Sequence, residues 1–170
     1  MKLSKKYWFF MILSIILAVA INGYIIMHSC LDAIESTKAS AGVVEVAEEV
    51  VNTVRPETIT PENHDTFASF IRKAFGHFGL FAVSGLLSSL ALYLSLAPHS
   101  WCKHYLNVMF SLVFGLFMGI LTEGIQLTVP GRSGEFTDVL IDFSGYFLGT
   151  LLLGIILFLI TRKLHKKKNA

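Results

Sequence analysis

The sequence predicts an all-α integral membrane protein, with four transmembrane helices in a compact bundle and both termini in the cytoplasm. The chain of 170 residues is 54% hydrophobic and only 15% charged, and its mean hydropathy is +0.63. Four apolar runs are each long enough to cross a bilayer, which takes about 20 mostly apolar residues. Basic residues are concentrated near both ends of the chain, whereas most acids lie in one internal segment.

The first apolar run extends from Tyr7 to about Met27 and follows three lysines. Two interpretations of this run are open. Ala18-Val19-Ala20 matches the small-residue pattern at which signal peptides are cleaved. The run continues past that point, however, which favours an uncleaved helix. Residues 1–27 are therefore predicted to form a cytoplasmic lysine cluster and the first transmembrane helix.

Residues 28–73 are predicted to form an acidic extracytoplasmic segment, because they carry eight acids against four basic residues. Apolar residues between Val43 and Val54 recur at i, i+3, i+4 and i+7, which indicates a short amphipathic helix. Pro56 and Pro61 end that helix and lead into an irregular stretch. The segment either packs as a cap on the bundle or lies on the membrane surface, and the cap is favoured.

Residues 74–161 are predicted to contain the other three spans, at about Ala74–Leu96, Tyr105–Val129 and Val139–Ile160. Pro98 and a polar turn at 99–104 separate the first two of these. Pro130-Gly131 is expected to end the third span of the chain, and Thr137 is a candidate N-cap of the fourth. Residues 162–170 form a basic cytoplasmic tail.

Two glycine pairs have the spacing that allows membrane helices to approach closely. They are Gly115 with Gly119 and Gly145 with Gly149. We expect them to bring the third and fourth spans together within one subunit, and homodimerisation through them is the less favoured alternative.

The orientation follows from the distribution of lysine and arginine, which are retained on the cytoplasmic side. With the N-terminus inside, nine of the 14 basic residues are cytoplasmic and no acid is. The opposite orientation places the basic tail outside. The sequence thus predicts a multi-pass plasma-membrane protein whose partner is the lipid bilayer and which binds no nucleic acid.

This topology brings polar residues from three parts of the chain to the outer face. Ionisable groups inside a membrane are costly and mark functional sites or buried pairs. Glu123 is placed roughly 9 Å below the predicted end of its helix, and Gln126 shares its face. Asp138 and Asp142 likewise share one face. The candidate binding residues are Arg72, Lys73, His77, Glu123, Gln126, Arg132, Asp138 and Asp142.

Two interpretations of this cluster need no catalysis. The basic side chains of Arg72, Lys73 and Arg132 can neutralise the phosphate or carboxylate of a polar headgroup, with Gln126 and His77 donating hydrogen bonds. Alternatively, Glu123 forms an ion pair with Arg132 or Arg72 that holds the bundle together, and loss of one partner leaves a costly buried charge.

A membrane-embedded enzyme is the less favoured interpretation. His77 and the three acids of the cluster have suitable chemistry for acid–base catalysis or for a divalent ion. The sequence contains no HExxH motif, no phosphatase-like signature and no nucleophile with an obvious base beside it. No catalytic residue is assigned, and no metal or cofactor is expected.

Three pieces of the sequence resemble the VanZ-like family, small membrane proteins named for a teicoplanin-resistance protein of Gram-positive bacteria. They are IRKAFGHF (71–78), EGIQLTVPGRSGEFTDVLID (123–142) and FSGYFLG (143–149). The family pattern runs Arg-Lys, His-Phe, E-x-x-Q, a proline-glycine-arginine turn and D-x-x-x-N-x-x-G. Its positions fall on Arg72, Lys73, His77, Phe78, Glu123, Gln126, Arg132, Asp138, Asp142 and Gly145.

The chain departs from this pattern at two points. Asp142 stands where many members carry Asn, and the spacing from Lys73 to His77 is one residue longer than in the commonest version. The resemblance covers about residues 70–153, half of the chain.

The resemblance implies a cell-envelope protein that lowers susceptibility to teicoplanin-type glycopeptides. It assigns no catalytic residue. We therefore expect a non-hydrolytic protein that engages a polar headgroup or a lipid-linked cell-wall precursor at a charged outer-leaflet pocket. The alternatives are an enzyme that modifies an envelope lipid or glycan carrier and a non-catalytic structural or partner-binding membrane protein.

Overall fold

A computed structural model describes residues 4–96 and 101–168 of the protein. Its helices are α1 (Lys5–Ser29), α2 (Ala33–Val54), α3 (His64–Ile71), α4 (Leu80–Ser95), α5 (Trp101–Gln126) and α6 (Phe136–Lys168), with a π-helical segment at Arg72–Gly79. The predicted all-α class is confirmed, since 85% of the structure is helical and the described residues form no strand. Lys2, Pro98 and residues 99–100 of the predicted polar turn lie outside these residues, and residues 101–104 begin α5.

Four helical stretches within the described ranges are long and apolar enough to cross a membrane. They are Lys5–Ser29, His64–Ser95, Leu106–Gln126 and Phe136–Ile160. Large apolar side chains such as Val19, Val113 and Leu152 are exposed on the outside of the bundle. Such a surface is unfavourable in water and suits contact with lipid. The predicted multi-pass membrane architecture is confirmed.

The bundle is organised around α4, which contacts α1, α5 and α6. Its core takes one buried residue from each of the four spans, namely Ile25, Phe81, Met118 and Tyr146. At one end, here called the Gln126 end, α1 and α5 finish while the π-helical segment and α6 begin.

Short polar side chains join the spans inside the bundle. Ser84 Oγ of α4 donates to Asn22 Oδ1 of α1 at 2.9 Å, and Asn22 Nδ2 donates to Ser88 Oγ at 3.0 Å. Ser89 Oγ and Thr150 Oγ1 lie 2.9 Å apart, which joins α4 to α6. Hydrogen bonds of this kind between membrane helices each contribute about 0.6–2 kcal/mol.

The four predicted packing glycines lie at close helix contacts, but not all at the expected one. A Cβ at Gly115 would overlap the ring of Tyr146, and one at Gly119 would lie 3.5 Å from the Cβ of Asp142, so both glycines of α5 face α6. Gly145 and Gly149 lie instead against the backbone of the second span. They bring α6 to the π-helical segment and α4 rather than to α5.

Two helix ends differ from the predicted ones. α5 ends at Gln126 rather than Val129 because the next residues form turns. Gly131 ends this stretch and has a positive φ of 72°, which glycine adopts easily. Glu123 therefore lies three residues, or about 4.5 Å, from the helix end. α6 begins at Phe136, so Thr137 lies in its first turn and is not the N-cap.

The helix of the second span is longer than predicted. It begins at His64 and runs for 32 residues to Ser95. Since about 20 residues cross a bilayer, its first part extends beyond the hydrocarbon region. The π-helical segment Arg72–Gly79 lies within it and carries three of the candidate site residues.

α2 packs across α3 beside the Gln126 end. Asp32 caps it, accepting a hydrogen bond from the backbone N–H of Glu35 at 2.8 Å. Buried Val44 contacts Ala68 and Ile71. This packing places the N-terminal turns of α2 beside the polar residues of the bundle.

Candidate functional site

A cavity of about 450 Å³ lies at the Gln126 end of the bundle. Its walls come from the π-helical segment, from parts of α1 to α6 and from the turn between α5 and α6. Seven of the eight predicted binding residues line it, namely Arg72, Lys73, His77, Gln126, Arg132, Asp138 and Asp142. The eighth, Glu123, is buried and contacts Gln126. Three separate pieces of sequence thus meet at one cavity.

Lys73 is neutralised on one side of the cavity by two acids. Its Nζ lies 2.5 Å from Asp138 Oδ1 and 3.1 Å from Glu135 Oε2. The ammonium group holds the pKa of Glu135 below its usual value, and Thr137 Oγ1 assists by donating to the same carboxylate at 3.2 Å. Lys73 therefore has two carboxylate partners and is not an unpaired cation.

His77 lies among three carboxylates. Its Nδ1 is 3.0 Å from Asp142 Oδ1 and 3.8 Å from Glu123 Oε1, while its Nε2 is 3.9 Å from Asp138 Oδ2. Asp142 is fully buried and Glu123 is 4% exposed. Such acids are rarely buried without partners.

Glu123 and Arg132 are joined through Gln126 and do not form the predicted ion pair. Gln126 Nε2 donates to Glu123 Oε1 at 2.8 Å. Arg132 donates to Gln126 Oε1 from Nε at 3.2 Å and from Nη2 at 2.5 Å. Glu123 Oε2 accepts the backbone N–H of Glu135 at 2.9 Å. The alternative ion pair with Arg72 is also not formed, because Arg72 binds elsewhere.

Arg72 and Arg132 have no carboxylate partner among the described residues. Arg72 donates from Nε to the carbonyl of Ala68 at 3.2 Å and from Nη1 to Thr37 Oγ1 at 3.1 Å. Arg132 Nη1 donates to Ser36 Oγ at 2.6 Å. Neutral acceptors thus orient both guanidinium groups and leave their charges uncompensated.

Several polar residues that line the cavity were not predicted from the sequence, among them His28, Ser36, Thr37 and Glu135. The available signal for α2 is the four-residue spacing of Ser36 and Ser40, which places small polar side chains on one helix face. Both serines line the cavity.

The cavity therefore offers two kinds of chemistry. Uncompensated guanidinium groups bind phosphate and carboxylate groups through paired hydrogen bonds. His77, Glu123 and Asp142 each offer one ligand atom, and these atoms lie within 4.8 Å of one another. Imidazole and carboxylate groups at such distances are metal ligands in many proteins.

Comparison with known proteins identifies a family. No curated protein and no solved structure matches the chain. The model of the family described as VanZ/LLP1 matches residues 8–160. The match extends beyond residues 70–153, where the sequence motifs lie, to α1 and α2. The predicted family is confirmed: the chain belongs to the VanZ/LLP1 family.

Proposed function

We propose that this membrane protein binds the anionic headgroup of an envelope lipid or lipid-linked cell-wall precursor, and thereby lowers susceptibility to teicoplanin-type glycopeptides. The ligand enters the cavity at the Gln126 end, which faces the outer leaflet. The observation that carries this proposal is the pair of guanidinium groups, Arg72 and Arg132, that line the cavity and have no carboxylate partner in the described part of the chain.

The charges around the cavity select the residues that bind the headgroup. Lys73 is already compensated by Glu135 and Asp138. Arg72 and Arg132 are only half-buried, so an incoming phosphate or carboxylate can replace water at both guanidinium groups. Hydrogen bonds between charged groups are stronger than those to the neutral oxygens that hold the arginines.

The cavity has a suitable size for this role. Its volume of about 450 Å³ lies within the range of about 300–1,000 Å³ that is usual for small-ligand sites. It accommodates a headgroup while the acyl or isoprenoid chains remain in the bilayer. The apolar side chains of Phe75 and Leu80, which also line it, are placed to contact such chains.

The orientation rests on the distribution of basic residues. The cytoplasmic end receives the N-terminal lysines and the basic tail, and no acid falls there. The positive-inside rule then places the Gln126 end outside. At that face the cavity is in reach of the precursors that glycopeptides bind.

The test is teicoplanin susceptibility of a sensitive Gram-positive host that expresses the protein. The wild type is compared with Glu123→Gln and Arg132→Ala, and with Arg55→Ala as a control. Arg55 is exposed and lies outside the cavity. Quantitative immunoblots of membrane fractions verify equal abundance.

The expected result is protection by the wild type and Arg55→Ala, and loss of protection in both cavity variants. Protection retained by Glu123→Gln and Arg132→Ala would contradict the assigned site. Absence of protection by the wild type at normal membrane levels would contradict the proposed role in glycopeptide susceptibility.

A further inference from the structure

We propose that His77, Glu123 and Asp142 bind one divalent transition-metal ion, Zn²⁺ or Mn²⁺, at the wall of the cavity. From the sequence alone, no metal was expected in this protein. The site involves side chains from the π-helical segment, α5 and α6, so the fold and not a local motif assembles it. The proposal does not depend on headgroup binding, because the ligands are protein groups alone.

The distances between the candidate ligands suit a metal ion. His77 Nδ1 lies 3.0 Å from Asp142 Oδ1 and 3.8 Å from Glu123 Oε1. Metal–ligand bonds of about 2.0–2.2 Å in tetrahedral geometry separate ligand atoms by about 3.4 Å. The two observed distances lie on either side of that value. The ligand atoms of all three residues lie within 4.8 Å of one another, so side-chain rotations can bring them to this separation.

A second observation is the unsatisfied carboxylate of Asp142. This residue is fully buried and lines the cavity, yet its Oδ2 has no hydrogen-bond partner within the described part of the chain. Leaving a buried charged oxygen without a partner is costly. A cation in the cavity wall would satisfy this oxygen.

The local charges point in the same direction. Among the described residues, no lysine or arginine forms an ion pair with Glu123 or Asp142, and His77 is the one basic group beside them. Two buried carboxylates carry the charge that a divalent ion neutralises. Buried charges are retained in proteins when they are paired or coordinate a metal.

The donor set selects the class of ion. One imidazole nitrogen and two carboxylate oxygens suit Zn²⁺ and Mn²⁺, whereas Mg²⁺ and Ca²⁺ prefer oxygen ligands alone. Three protein ligands leave at least one position open, which is typical of metal sites that bind a further group. Since His77 and Asp142 both line the cavity, that position is accessible from it.

Neighbouring groups hold the ligands in place. Glu123 is fixed by Gln126 Nε2 at 2.8 Å and by the backbone N–H of Glu135 at 2.9 Å. Asp138 Oδ2 lies on the Nε2 side of the His77 ring, at 3.9 Å. A carboxylate on the far nitrogen of a metal-binding histidine is a common way to orient the ring.

The experiment uses the full chain in detergent micelles, stripped with EDTA and dialysed. Zn²⁺ and Mn²⁺ are titrated by calorimetry, and Mn²⁺ binding is also followed by electron paramagnetic resonance. The variants are Asp142→Asn, Glu123→Gln and His77→Gln. The matched control is His64→Gln, which removes a surface histidine that lies 3.5 Å from Glu48 and 3.6 Å from Asp65.

We expect one high-affinity ion per chain in the wild type and in His64→Gln. Each of the three ligand variants should weaken metal binding by more than about 100-fold. This loss is larger than the loss that follows from changing a residue that only hydrogen-bonds to a metal ligand. Circular dichroism and gel filtration establish that the variants are folded. Failure of the wild type to bind either ion stoichiometrically would overturn the proposal, as would unchanged binding in all three variants.

A readout on the wild type alone covers the case in which a variant does not fold. An ion that binds only the folded state raises the apparent Tm by roughly 5–10 °C at a concentration of 100 Kd. EDTA should remove this increase and added Zn²⁺ or Mn²⁺ should restore it. A Tm that is the same with and without both ions would contradict the site.

Discussion

Lys73 Nζ lies 2.5 Å from Asp138 Oδ1, and this ion pair joins the π-helical segment to the first turn of α6. Asp138 is 7% exposed, whereas the Lys73 side chain is 35% exposed. The ion pair therefore matters more for the buried Asp138 carboxylate than for the Lys73 ammonium group, which water can reach. Removal of the lysine alone leaves the buried Asp138 carboxylate without its cation. Removal of both charged groups leaves no such carboxylate.

Replacement of Lys73 by Gln should lower stability by about 1–2 kcal/mol, or roughly 3–6 °C in Tm. This figure is below the cost of breaking a fully buried pair because water reaches the ammonium group. Thermal unfolding in detergent micelles measures the effect. The double variant Lys73→Gln with Asp138→Asn should recover most of the loss, since no buried carboxylate is then left without Lys73. Glu135, the other partner of Lys73, is exposed and remains solvated.

Lys38→Gln is the control for this measurement, because Lys38 is exposed on α2 and outside the cavity. Its Tm should equal that of the wild type. A double variant no more stable than Lys73→Gln would show that the loss does not come from an unpaired Asp138.

Glu135 should make the stability of the protein dependent on pH in the acid range. Lys73 lowers the pKa of the Glu135 carboxyl in the folded state, relative to about 4.3 in the unfolded chain. The pair then contributes stability above pH 4.3, and this contribution disappears as the pH falls through the folded pKa. The Tm difference between wild type and Glu135→Gln should thus be larger at pH 7 than at pH 3.5.

Glu62→Gln controls for the loss of one negative charge, because Glu62 is an exposed acid distant in sequence from Glu135. The prediction would be contradicted if the Tm difference between wild type and Glu135→Gln were larger at pH 3.5 than at pH 7. Such a result would show that the charged form of Glu135 is not the stabilised one.

The architecture was predictable from the sequence because it depends mainly on the number and length of the apolar runs. A span needs about 20 apolar residues, and four such runs are visible. The helix ends were less predictable, since they depend on which groups satisfy the last carbonyls. Val129 continues the apolar run, yet its N–H bonds to the carbonyl of Gln126 in a turn, and α5 has already ended.

That seven of the candidate residues meet at one cavity was also predictable, because topology alone brings the three polar pieces to one end of the bundle. The partners within it were not. The sequence allows Glu123 to pair with Arg132 or Arg72, whereas in the structure Glu123 accepts a hydrogen bond from Gln126, and Arg132 donates to Gln126 as well. Lys73 and His77 both lie in the π-helical segment, whose hydrogen bonds reach one residue further than those of an α-helix. No such segment was predicted from the sequence.

Gly149→Ala should destabilise the bundle although alanine is the better helix former. A Cβ at Gly149 would overlap the carbonyl oxygen of Ala82 and lie 2.7 Å from the backbone nitrogen of Leu86, so α6 must move away from α4. Overpacking of this kind costs about 1–3 kcal/mol.

Gly154→Ala is the matched control on the same helix, because nothing lies within 4 Å of its added Cβ. The control should equal or exceed the wild-type Tm, since alanine gains up to about 1 kcal/mol over glycine in a helix. If the two variants unfold at the same temperature in detergent, the close approach of α6 to α4 does not limit stability.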